Sequence, residues 1–120
     1  MTYATGASTS FVGTGALTAN APSGVSSGDR LIALLSQDGA GATITPPAGW
    51  TQIGNADNFS PDSQTVRAFE KIATGADSYA FTSNLTSDAL IHVLRLTGRH
   101  ASTASACQVT TNSTDRKSVV

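Results

Sequence analysis

The chain has 120 residues, the size of one domain, and 39% of them are apolar, so it can bury a core. Only 12% are charged, against a usual share of about 25%, and the net charge is −1, which gives no electrostatic reason to expect binding to nucleic acid or an anionic membrane. Ser, Thr, Gly, Ala and Asn are abundant instead, a polar, uncharged composition typical of extracellular or virion β-proteins.

The hydrophobic pattern predicts short β-strands between turns, with no helical periodicity beyond about two turns. In chain order the predicted strands are 10–12 (a weak edge strand), 16–21, 30–37, 51–55, 64–73, 78–83 and 88–97. A helix is the competing interpretation for 30–37, disfavoured by the short run and the flanking Gly28 and Gly39. Turns at a spacing of roughly 8–12 residues predict an all-β fold, an antiparallel β-sandwich or jelly roll.

Side-chain alternation adds detail to two of these strands. In 64–73, Val66, Ala68 and Ile72 share one face and Phe69 lies on the other. In 78–83, Tyr79 and Phe81 share a face. The residues between the strands, including 55–63, are predicted to be polar loops.

The segment Pro46-Pro47-Ala48-Gly49-Trp50 is predicted to be the structural anchor of the domain. Two prolines fix φ and remove two backbone donors, which excludes a mid-helix or central-strand position. Trp50, the only tryptophan, can bury a large apolar area there if its indole N–H finds an acceptor. The alternative is an exposed Trp50 that stacks on sugars.

No catalytic, cofactor-binding or metal-binding residues are predicted. No Ser–His–acid set can be recognised from the sequence, and His92 in a strand is far in sequence from His100 in a loop. Cys107 is the only cysteine, which excludes an intrachain disulfide and a cysteine-based zinc site. Asp57 and Asp62 could supply calcium ligands, but acids are also common in solvated turns.

The last six residues, 115–120 (DRKSVV), are interpreted as not native. They can be encoded by GAT CGG AAG AGC GTC GTG, which is a widely used sequencing adapter read in frame, and such scars are excluded from fold reasoning. A genuine basic tail is the alternative. Under the adapter interpretation, residues 1–114 form a single β-sandwich domain that is a fragment of a longer one.

The chain resembles a family of phage-associated β-sandwich domains found in tail, fibre and other virion-surface proteins. The resemblance covers about residues 21 to 98 and is carried by 21–33 (APSGVSSGDRLIA), 44–51 (ITPPAGWT), 69–74 (FEKIAT), 78–82 (SYAFT) and 96–98 (LTG). It implies a β-sandwich with further strands after this region. It implies no particular functional residues.

Together these features predict a non-enzymatic structural or surface module of a bacteriophage virion, in a tail, fibre or capsid. Its expected partners are other virion proteins or copies of itself, with no nucleic acid, membrane or cofactor. The alternative is a carbohydrate-binding or adhesive β-sandwich of a secreted bacterial protein, whose partners would be cell-surface glycans.

Overall fold

Eight β-strands make up all of the regular secondary structure in the computed structural model, which describes residues 2–59 and 64–98. Strand interiors are rich in Thr, Val, Ile, Leu and Phe, whereas Gly, Pro, Asn and Asp gather between them, as their backbone preferences require. The strands are β1 Thr2–Phe11, β2 Ala16–Thr18, β3 Arg30–Asp38, β4 Ile44–Thr45, β5 Thr51–Phe59, β6 Gln64–Ile72, β7 Ala80–Ser83 and β8 Ala89–Thr97.

The strands form two antiparallel sheets. Five strands are ordered β1-β8-β3-β6-β5, and three are ordered β2-β7-β4. The central strand β3 pairs with β8 on one side and β6 on the other, so Leu34 stands between His92 and Ala68. The predicted all-β class is therefore confirmed, while the finer choice between sandwich and jelly-roll topology stays a prediction.

The core lies between the facing sides of the two sheets. The three-stranded sheet contributes Leu17 and Phe81, and both are fully buried. Fully burying one such side chain contributes about 1.5–3 kcal/mol relative to leaving it exposed, so this layer accounts for much of the stability. The five-stranded sheet contributes Leu31, Ala33, Leu35, Phe69, Ala89, Ile91 and Val93.

Strand β1 is much longer than the sequence predicted. Only 10–12 was expected to be extended, but the strand covers Thr2–Phe11 and pairs with β8 along its length. Its Ser, Thr, Ala and Gly residues have little apolar pattern of their own. Their extended state comes from pairing with the apolar β8, since strand preference depends on the neighbouring strand.

Other strand ends also differ from the predictions. Strand β5 continues through Phe59, so the predicted polar loop 55–63 is wrong over 55–59, where pairing with β6 resumes after a register shift. Strand β2 ends at Thr18, earlier than the predicted 16–21. The Ala19 N–H still donates to the Tyr79 carbonyl at 2.9 Å, but the chain then turns toward β1. The N–H of Asn20 donates to the Thr9 side chain at 2.8 Å.

Alternate side chains of β6 point to opposite sides of the five-stranded sheet, and only one of these sides faces the core. Phe69 points into the core, where its ring centroid lies 5.4 Å from that of Phe81. Val66, Ala68 and Ile72 therefore lie on the other side of the five-stranded sheet. The sequence correctly predicted that Phe69 lies on the opposite face of β6 from these three residues. The face that carries three apolar residues is, however, the one turned away from the core.

We expect Phe81→Ala to lower the free energy of unfolding by about 3–5 kcal/mol, because it leaves a cavity where the two sheets meet. The adjacent and exposed Thr82 is the control, and Thr82→Ala should cost about 1 kcal/mol or less. Urea titrations followed by the fluorescence of Trp50 measure both. Equal losses in the two variants would contradict a core centred on Phe81.

Candidate functional site

The predicted anchor, residues 46–50, forms a tight turn after which Trp50 packs into the core; it is called the anchor turn below. The backbone N–H of Trp50 donates to the Pro47 carbonyl at 3.3 Å, and Gly49 has a φ of 92°. A positive φ at the third position is what a type II turn requires, which explains the glycine. Pro46 and Pro47 are half-buried at the entrance to this turn, directly after β4 at the edge of the three-stranded sheet.

Trp50 is buried, with 6% of its surface exposed. Its ring makes edge-to-face contacts with Phe81 at a centroid distance of 5.2 Å and with Tyr79 at 5.9 Å. The indole N–H donates to the Ser78 carbonyl at 2.9 Å, which satisfies the one polar atom of the buried ring. Because the ring lies within the core, it is not available to stack on a sugar.

Lys71 joins the anchor turn to the turn between β6 and β7. Its Nζ lies 2.9 Å from the Asp77 carboxylate, and its chain crosses the face of Gly49. A Cβ placed on Gly49 would lie 2.9 Å from Lys71 Cε. Glycine is thus required at this position both by the backbone conformation and by the approach of the lysine.

We expect Gly49→Ala to destabilise the protein by about 1–3 kcal/mol through backbone strain, with an added loss from displacing Lys71. Gly75 is the matched control, since its φ is 94° and nothing lies within 4 Å of the position of its Cβ. Gly75→Ala should therefore cost less, as measured by chemical denaturation. In a Lys71→Ala background, which removes the contacting side-chain atoms, the part of the difference between the two glycine variants that comes from the lysine should vanish, and its persistence would rule out the lysine contact as the cause.

Two carboxylates in this part of the molecule have lowered pKa values. The Arg95 side chain, 2.7 Å from Asp29, lowers the pKa of that carboxyl, with help from the Ser26 N–H. Burial raises the pKa of Asp77, but the N–H groups of Thr74 and Gly75 and the ammonium of Lys71 together outweigh burial, and the net shift is downward.

Both shifts predict loss of stability in acid. A carboxyl whose pKa is lower in the folded state contributes its full stabilisation above the unfolded value of about 3.9 and loses it as the pH falls through the folded value. We expect the free energy of unfolding to decline below about pH 4, and Asp77→Asn to show a smaller decline than the unmodified chain. An identical pH profile for the variant would contradict a stabilising Asp77 carboxylate.

The side of the five-stranded sheet that faces away from the three-stranded sheet carries an apolar surface, here called the outer face. Leu34 is 41% exposed and Leu90 is 45% exposed, although both lie in regular strands. The pairing places them as diagonal neighbours across β3 and β8. The outer face carries eight apolar residues together with Ser36, His92 and the Arg30–Glu70 ion pair, and the apolar residues are Ile32, Leu34, Val66, Ala68, Ile72, Leu90, Leu94 and Leu96.

A polar group lies beside these leucines, at the junction of β1 and β8. The Ser8 hydroxyl is 2.5 Å from His92 Nδ1. A Cβ on Gly6 would lie 2.9 Å from the Tyr3 hydroxyl and 3.2 Å from His92 Nε2, so the two rings meet over the glycine. This group could not be predicted from the sequence, because most of β1 has no strand pattern of its own and Ser8 lies far from His92 along the chain.

The described residues contain no further catalytic constellation around this pair. Among the described side chains, those of 2–54 and 64–98, no carboxylate hydrogen-bonds to His92 and no three His, Cys, Asp or Glu residues gather as a metal site would require. The side chains of His100, Cys107, Asp57 and Asp62 lie outside the described set. The absence of catalytic and metal residues stays a prediction.

Comparison of the chain with protein-family models, with curated proteins and with solved structures found no match. None of the described segments is a helix long and apolar enough to cross a membrane.

Proposed function

We propose that this protein is a non-enzymatic structural module of a bacteriophage virion, in a tail, fibre or capsid, and that its outer face packs against a neighbouring virion protein. The observation that carries the proposal is the exposure of Leu34 and Leu90 on a regular sheet surface. Apolar side chains that adjoin one another on a rigid sheet gain free energy when a partner covers them.

The composition supports the same function. Charged residues are only 12% of the chain, and the Arg30–Glu70 ion pair on the outer face is already largely buried, so covering the leucines would remove little further charge from water. The resemblance of residues 21–98 to virion-surface domains is independent of that argument. The proposed location is therefore the released virion.

Carbohydrate binding is the alternative function, and its first candidate platform is Trp50. That ring is buried against Phe81 and Tyr79. Among the described aromatic side chains, Tyr3, at 57% exposed, is the one best placed to stack on a sugar instead. Among the described residues, the polar group found beside the Tyr3 hydroxyl is the His92 ring next to Gly6, which is fewer than a sugar site needs, so the outer face favours a protein partner.

The genetic locus that encodes the chain gives the first test. We expect portal, capsid or tail genes beside it, and peptides of this protein in purified particles produced from that locus, detected by mass spectrometry. A secretion signal joined to a catalytic module in the same reading frame would overturn the virion proposal in favour of the secreted alternative.

Substitution of the outer face gives the second test. Leu34→Ser with Leu90→Ser should reduce incorporation into particles about tenfold or more, because each exposed leucine loses the apolar area that it buries on a partner. Val12→Ser is the control, since Val12 is 83% exposed but lies outside the strands. Equal incorporation of both variants would show that the outer face is not the contact.

A glycan array with Tyr3→Ala as the control variant separates the two functions. The virion proposal predicts no glycan signal that depends on Tyr3. Specific binding that disappears in Tyr3→Ala would instead support the adhesive function.

A further inference from the structure

The two sheets have four edge strands, and three of them are poor sites for pairing with another chain. Strands β2 and β4 have only three and two residues. Strand β5 has a register shift between Ile53 and Asp57, a φ of 71° at Gly54 and the acidic Asp57 itself. Short length, bulges and charge are the devices that prevent edge-to-edge association.

Strand β1 carries few of these protections. It has ten residues, TYATGASTSF, with no charged residue and no proline. Its one register shift lies between Tyr3 and Thr5, so 5–11 pairs with β8 in regular register. A long, uncharged and regular edge strand presents a row of backbone donors and acceptors that another strand can pair with.

No described segment pairs with the free side of β1. The segment after β2 approaches only the core side of β1, where the Thr9 hydroxyl accepts from the Asn20 N–H and the Thr5 hydroxyl donates to the Ser23 carbonyl, each at 2.8 Å. Both bonds involve side chains. Over 2–59 and 64–98, no backbone hydrogen bond joins the free side of β1 to another segment.

We propose that β1 pairs with β1 of a second copy of this chain, antiparallel and about a two-fold axis, so that two five-stranded sheets become one continuous sheet. This inference deepens the proposed virion function, on which it rests, by naming the partner at this edge. An antiparallel edge is complementary to itself through such an axis, which gives a closed dimer.

The side chains of β1 suit this pairing. Residues directly opposite each other in an antiparallel pair lie on the same side of the sheet, so Ser8 of one copy would face Gly6, Ser8 or Ser10 of the other. All three are small and uncharged. Self-pairing therefore meets neither a steric clash nor the repulsion between identical charges that a two-fold axis would bring together.

A second copy fits this edge better than a foreign peptide does. Recognition of a foreign strand takes its specificity from pockets that accept alternate side chains of the peptide. The exposed positions Gly6, Ser8 and Ser10 offer neither a deep pocket nor a charge that would select one sequence over another. Symmetry supplies selectivity here, because both copies present the same row of small residues.

The oligomeric state of the full 120-residue chain gives the first measurement. Sedimentation equilibrium should show twice the 12.2 kDa mass of one chain as the concentration rises toward the order of 1 mM. A chain that stays monomeric throughout this range overturns the inference. The virion proposal is judged separately by the locus and the particles, so either can fail without the other.

Hydrogen exchange locates the contact without any substitution. In an antiparallel strand alternate residues point their N–H groups to opposite sides, so half of the β1 amides bond to β8 and half face the free edge. The free-edge set should exchange about tenfold more slowly in concentrated than in dilute protein, while amides of β5 do not change. Dimers without this alternating protection would place the contact elsewhere.

Substitutions complete the assignment. Ser10→Lys adds a charge to the edge and should keep the chain monomeric, whereas Thr82→Lys, on an exposed position of β7, should dimerise like the unmodified chain. If Ser10→Lys dimerises normally while Leu34→Ser with Leu90→Ser does not, the outer face is the dimer contact and β1 pairing is excluded. If Ser10→Lys fails to fold, as circular dichroism would show, the exchange pattern decides.

Discussion

The contact of Phe81 with Trp50 and Phe69 is the interaction on which the two-sheet arrangement depends. The strands of the smaller sheet have three, two and four residues, and such short strands are not stable alone. That sheet must be held by burial of Leu17 and Phe81, both fully inaccessible, against the larger one. Phe81 lies where the two layers meet the anchor turn, so one aromatic cluster fixes the spacing of the sheets and the path of the chain after β4.

Burial explains which strands could be predicted from sequence. Strands β3 and β8 were placed within one residue because apolar residues on both of their faces leave a strong pattern. Strand β1 leaves no such pattern, since its extended state depends on hydrogen bonds to β8. The sheet edge that carries the proposed dimer contact was therefore the part of the fold least visible in the sequence.

The candidate site could be predicted only where its chemistry is local. The turn and its tryptophan form one short segment, Pro46-Pro47-Ala48-Gly49-Trp50, so the sequence alone could predict a turn followed by a buried aromatic residue. The contact of Lys71 with Gly49 and the pair Ser8–His92 join residues distant in sequence, and only the sheet pairing determines them. The same holds for the outer face, because the alternation in β6 does not reveal which of its two apolar sides the smaller sheet will cover.

The charged pairs of the molecule are distributed unevenly along its length. Among the described residues, Arg30–Glu70, Lys71–Asp77 and Arg95–Asp29 all lie where β3 begins and β6 and β8 end. At the opposite end no such cluster of ion pairs joins the described residues: Gln37 donates to two carbonyls of the β7–β8 loop, Thr65 bonds to Gly39 and Ala42, and the Arg67 guanidinium also donates to the Ala42 carbonyl. The end of the molecule that holds the three ion pairs should therefore respond more strongly to acid and to salt than the opposite end.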